Sequence, residues 1–169
     1  MKILLPLLSL LISACSAQDV VTGAQISADL AVAQSSYAET RASVERRLAS
    51  LSDEKATELR ALLVDADSLK ASVEAIWTDK LVPTAADVTV LYQAGEALYV
   101  RGITLVTPLM SSMPLADQIR VRRFAETMKS LGEHYQAWQA SPTAQTQSAL
   151  LSRGLELAKM AVQIGMVVL

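Results

Sequence analysis

Along most of the chain apolar residues recur at alternating steps of three and four, the spacing that gathers side chains on one side of an α-helix. The clearest run is Leu59, Leu62, Ala66, Leu69, Val73 and Ile76, and Leu63 and Trp77 widen its apolar face. A second unbroken run is Val121, Phe124, Met128, Leu131, Tyr135 and Trp138. Opposite it stand Arg122, Glu126, Lys129 and Glu133, a solvated row of mixed sign. Between the two lies a third stripe of Val88, Leu91, Gly95, Leu98, Gly102, Leu105 and Leu109, with Tyr92, Tyr99 and Val106 beside it. The first pattern, over residues 20–51, is Ile26, Leu30, Ala33, Tyr37, Val44 and Leu51, interrupted at Thr40 and Arg47.

The breaks between these runs carry helix-end chemistry. Leu81-Val82-Pro83 ends the second segment, because a residue before proline avoids the helical region. Thr84 stands three residues before Asp87 and predicts a capping box. Thr107-Pro108 and Met113-Pro114 bracket a short connection. Ser141-Pro142 predicts an N-cap followed by proline at the first helical position. The last segment runs from there to Leu169, and from Leu155 onward only Glu156, Lys159 and Gln163 are polar. It predicts a helix buried among the others, the alternative being a membrane contact or an oligomer interface. No strand alternation or hairpin dipeptide occurs, so the expected fold is all-α, an elongated antiparallel helical bundle of four to five helices over residues 20–169.

Gly95 and Gly102 are seven residues apart and share a helix face, although each costs roughly 1 kcal/mol of helix propensity relative to alanine. The structural expectation is a close approach of a neighbouring element; the functional one is a ligand slot or a kink. With Tyr92 and Tyr99 they form the candidate binding side of the third helix.

The start of the chain reads differently. Lys2 is a positive n-region and residues 3–12 are apolar apart from Pro6 and Ser9, a stretch of roughly 15 Å as a helix and too short to span a bilayer. Ile12-Ser13-Ala14-Cys15 then places an aliphatic residue and two small residues before the only cysteine. This resembles the lipobox of bacterial lipoproteins. The resemblance implies cleavage between Ala14 and Cys15, acylation of Cys15, a signal peptide over residues 1–14 and a lipidated tether over residues 15–19. Ser16, where an aspartate would favour inner-membrane retention, implies transfer to the outer membrane, with the body facing the periplasm. Two or three acyl chains, at about 0.8 kcal/mol per buried methylene, make such an anchor nearly permanent.

Composition narrows the chemistry. The 169 residues carry 15 Lys+Arg, 17 Asp+Glu, one His and one Cys, for a net charge of -2. That balance opposes nucleic-acid capture. A single Cys15 and a single His134 exclude cysteine and two-histidine zinc sites, and Leu131 stands where a ferritin-like Glu-x-x-His would need its glutamate. No nucleophile elbow, Walker loop or dinucleotide fingerprint is present. The expectation is therefore a non-enzymatic protein without cofactor or metal, a binding or structural subunit of the envelope with an envelope protein as partner. Two alternatives are a bundle that carries or senses an apolar ligand between its helices, and a phage-encoded lysis or exclusion lipoprotein. Arg120, Arg122 and Arg123 form the densest basic cluster, with Arg46 and Arg47 a second pair. They are either surface cations paired with Glu126 and Glu45, or contacts for anionic lipid or peptidoglycan.

Overall fold

The structure is a computed structural model that describes residues 31–79 and 83–169. The expectations for residues 1–30, including Ala14, Cys15, Ile26 and Leu30, and for Leu81 and Val82 lie outside the described residues. Residues Ala33–Leu169 form one compact unit. The described residues are helical, without a strand: α1 is followed through 31–48, then come α2 (Asp53–Asp79), α3 (Ala85–Val106), a 3-10 turn (Thr107–Leu109), α4 (Leu115–Ala140) and α5 (Ala144–Val168). The expected all-α bundle is the fold.

The stripes of α2 and α4 face inward as their spacing requires. Leu59, Leu62, Ala66, Leu69, Val73 and Ile76 are buried, and so are Val121, Phe124, Met128, Leu131 and Trp138. Partners across helices fix the antiparallel order. Leu62 lies beside Gly102 while Leu91 and Val73 both lie beside Gly154; Leu131 meets α3 at Gly95 and Phe124 meets it at Gly102. α5 packs along α2, α3 and α4, and Gly165 also meets Val44 of α1. Ten residues of α5 from Leu150 to Gly165 are buried, which makes it the helix around which the others assemble. No helix among the described residues is long and apolar enough to cross a membrane.

Three boundaries differ from the sequence expectation, each for a local reason. In α1 the core residue after Val44 is Leu48, four residues on, while Arg47 is exposed and Leu51 half-buried beyond the helix end. In α3 Val106, not Leu105, closes the buried stripe. An α-helix drifts by roughly 20° per heptad against a strict seven-residue repeat, so steps of four must replace steps of three as the stripe lengthens. The N-cap of α5 is Thr143, not Ser141. The Thr143 hydroxyl accepts from the Thr146 amide at 3.2 Å and the Thr143 amide donates to Thr146 Oγ1 at 3.0 Å. Ser141 instead terminates α4, its amide bonding to the Ala137 carbonyl. Thr84 and Asp87 make the predicted capping box at α3.

α1 is held to α2 by a polar clasp. The buried Tyr37 donates its hydroxyl to Asp67 at 2.6 Å, and Arg41 Nε donates to both Asp67 oxygens at 2.9 and 2.8 Å. Gln34 and Lys70 both donate to Glu74 nearby. Burial and the Asp67 carboxylate push the Tyr37 phenol well above its ordinary range.

Candidate functional site

The structure separates the four residues expected to form one binding side on α3. A Cβ placed on Gly95 would stand 2.7 Å from Leu131 Cδ2, and one on Gly102 would stand 2.7 Å from Phe124 Cε1. The glycines are therefore buried close-approach positions whose free volume is filled by Leu131 and Phe124. This overturns their assignment to a ligand slot, and with it the physical basis for an apolar carrier built on them. Tyr92 and Tyr99 are half-buried and line an open groove of about 560 Å³ between α3 and α4, together with Met128, Lys129 and Gly132. Gly132 gives Tyr92 room to lie flat, with its ring 4.5 Å from that of Tyr135 and inclined by 9°. The Tyr135 hydroxyl accepts from Gln139 Nε2 at 2.8 Å and meets Thr89 Oγ1 at 3.1 Å. Burial, then the adjacent Glu96 carboxylate, raises the Tyr92 pKa above its usual value. These contacts lock the aromatic pair as a rigid wall.

A second groove, about 700 Å³, runs between α2 and α3 and is lined by Glu58, Ala97, Val100, Arg101, Thr104 and Leu105. Glu96 and Val100 belong to both grooves, so the ridge between them is the outer face of α3. That ridge holds an arrangement the sequence reading missed. Ala86, Val90, Gln93, Ala97, Val100 and Thr104 step 4, 3, 4, 3, 4, and all six are exposed. Val90 is 58% and Val100 62% exposed. The signal was present in the sequence, as a second heptad stripe on the side of α3 away from Val88 and Leu91. Four of its six members, Ala86, Val90, Ala97 and Val100, are apolar, so α3 carries apolar residues outward as well as toward its own core.

The charged residues of α3 serve the fold. Arg101 Nε donates to Asp65 of α2 at 2.5 Å and Asp87 closes the N-terminal capping box. Elsewhere the expected pairings shift. Glu45 pairs with Arg41, leaving Arg46 and Arg47 exposed, and neither Arg122 nor Arg123 pairs with Glu126 among the described residues. Arg120 bonds Asp117. His134 is half-buried, and no three His, Cys, Asp or Glu side chains of the described residues converge as metal ligands. Comparisons with protein-family models, curated proteins and solved structures yield no match, so the functional reading rests on this geometry.

Proposed function

We propose that the chain is an acyl-anchored protein of the bacterial envelope that works without catalysis, holding a protein partner along the outer face of α3. The observation that carries the binding half is the exposed heptad stripe from Ala86 to Thr104, flanked by two open grooves. Small residues at Ala86 and Ala97 let another helix lie close, and Val90 and Val100 supply apolar area that water would otherwise cover. The anchoring half rests on Ile12-Ser13-Ala14-Cys15. Acylation there, with Ser16 following, places the bundle on the outer membrane facing the periplasm. Confinement to that surface raises the effective concentration of the protein toward a partner in the same layer.

The test has two separable arms. Mass spectrometry of the exported protein should find an acylated amino-terminal cysteine, and Cys15→Ala should abolish acylation and membrane fractionation; an unmodified Cys15 thiol removes the anchor. A photo-crosslinking residue at Val100 should capture an envelope protein in living cells, while one at the exposed Glu39 of α1 should not. Equal capture at both positions, or none at Val100, removes the α3 partner.

A further inference from the structure

The corner between α3 and α4 carries a combination found nowhere else among the described residues. The connection and the first turns of α4, residues 107–123, contain Arg120, Arg122 and Arg123 against a single acid, Asp117, so this stretch is net positive in a chain of net charge -2. Asp117 is occupied by Arg120, and Arg122 and Arg123 have no carboxylate within ion-pair distance among the described residues. Beside them stand apolar side chains the core does not use: Leu115 is 71% exposed, Ile119 41%, and Met110 is also exposed. At 100° per residue Leu115, Ile119, Arg122 and Arg123 fall within roughly a third of the helix circumference, on the side away from Val121 and Phe124.

From this juxtaposition we infer that the α3–α4 corner docks on an anionic lipid bilayer, with Leu115 and Ile119 entering the headgroup layer and Arg122 and Arg123 bound to lipid phosphates. A protein partner would need a pocket for each protruding side chain and carboxylates placed for two adjacent guanidinium groups. A bilayer yields to Leu115 and Ile119 and supplies phosphates wherever the arginines fall. The corner is independent of the acyl anchor and of the α3 stripe, and stands or falls without them.

The full chain is mixed with phosphatidylcholine vesicles, with and without phosphatidylglycerol, and bound protein is measured by co-sedimentation. Any leader or acyl group contributes equally to all variants, so the corner is read as the phosphatidylglycerol-dependent increment. Arg122→Gln with Arg123→Gln should lower that increment roughly 30-fold, each arginine near an anionic surface contributing about a fivefold part. Arg153→Gln, on α5, should change it little. Leu115→Asn with Ile119→Asn should also weaken it while circular dichroism stays unchanged. A polarity-sensitive dye on Leu115→Cys in a Cys15→Ala chain should shift to the blue on phosphatidylglycerol vesicles. Three results overturn the inference: an increment unaffected by the arginine pair, an equal loss with Arg153→Gln, or a dye at position 115 that stays in water while the protein is bound or shifts with protein concentration alone.

Discussion

Gly102→Ala and Gly132→Ala are the same chemical change in two helices, with opposite expected outcomes. Each added methyl gains helix propensity of about 1 kcal/mol, because alanine loses less backbone freedom than glycine. At Gly132 the new Cβ meets the Tyr92 hydroxyl at 3.6 Å and its ring at 3.7 Å, ordinary van der Waals distances, so the gain is kept. At Gly102 it stands 2.7 Å from Phe124 Cε1 and 3.0 Å from Cζ. That ring has no exposed surface and tilts against Tyr99 at a centroid distance of 5.5 Å, so it has no room to swing away. Forcing a methyl into such a core costs about 1–3 kcal/mol. The propensity term cancels between the two variants, leaving Gly102→Ala less stable than Gly132→Ala by that steric cost. Urea unfolding followed by circular dichroism reads the difference as a lower midpoint at unchanged slope. In a thermal scan each kcal/mol corresponds to about 2–4 °C for a chain of this size. Equal midpoints for the two variants would refute the assignment of Gly102 to close packing and would reopen the space beside it for a ligand.

Other outcomes follow from the same contacts. Asp67→Ala should lower stability by about 1–3 kcal/mol, since it leaves the buried Tyr37 hydroxyl without its acceptor; hydrogen exchange should show the loss concentrated in α1. Because the folded state holds the Tyr37 phenol protonated beyond its ordinary pKa, that contribution is complete at neutral pH and is lost as the pH rises past about 10. Urea midpoints should therefore fall between neutral and strongly alkaline pH, less steeply in Tyr37→Phe; parallel profiles would refute this assignment. Thr143→Ala should cost about 1 kcal/mol in denaturant unfolding and Ser141→Ala much less, reversing the ranking the Ser-Pro pair suggests. Val90→Asp with Val100→Asp should leave the melting temperature within a degree or two, because both side chains are solvent-exposed, and should abolish crosslinking along α3.

How far the sequence reached depended on what each residue had to satisfy. The core faces of α2 and α4 were readable because each has an unbroken apolar stripe with one core to face; Val64, Leu115 and Ile119 stand outside those stripes and are exposed. Thr84 and Asp87 were readable because a capping box is complete within four residues. Ser141 misled for the same reason in reverse: the Ser-Pro pair is locally sufficient, and Thr143 wins only because Thr146 answers it. Leu51 and Leu105 misled where a fixed seven-residue count was carried further than helix geometry allows. Gly95 and Gly102 were recognised as special, but which neighbour fills the space is a tertiary fact, set by Leu131 and Phe124 arriving from α4.

The outer stripe of α3 was missed because periodicity reports which residues share a side and not which side is inside. The burial of Val88, Leu91, Gly95 and Leu98 settles that question for one face and thereby isolates the other. What remains outward is unusually free of charge. In twenty-two residues α3 has Asp87, Glu96 and Arg101 as its ionised side chains, and two of them are tied to the capping box and to Asp65. Lysine or glutamate in place of Val90 and Val100 would raise helix propensity and add solubility; α2 exposes one valine, Val64, whereas α3 carries two on a single stripe. α4 makes the contrast within the same fold: its corresponding side, past the Leu115 corner, is Arg122, Glu126, Lys129 and Glu133, all exposed. Two helices of similar length on the same core thus solve the solvent problem differently, and the one that leaves it unsolved is where a partner gains most by docking.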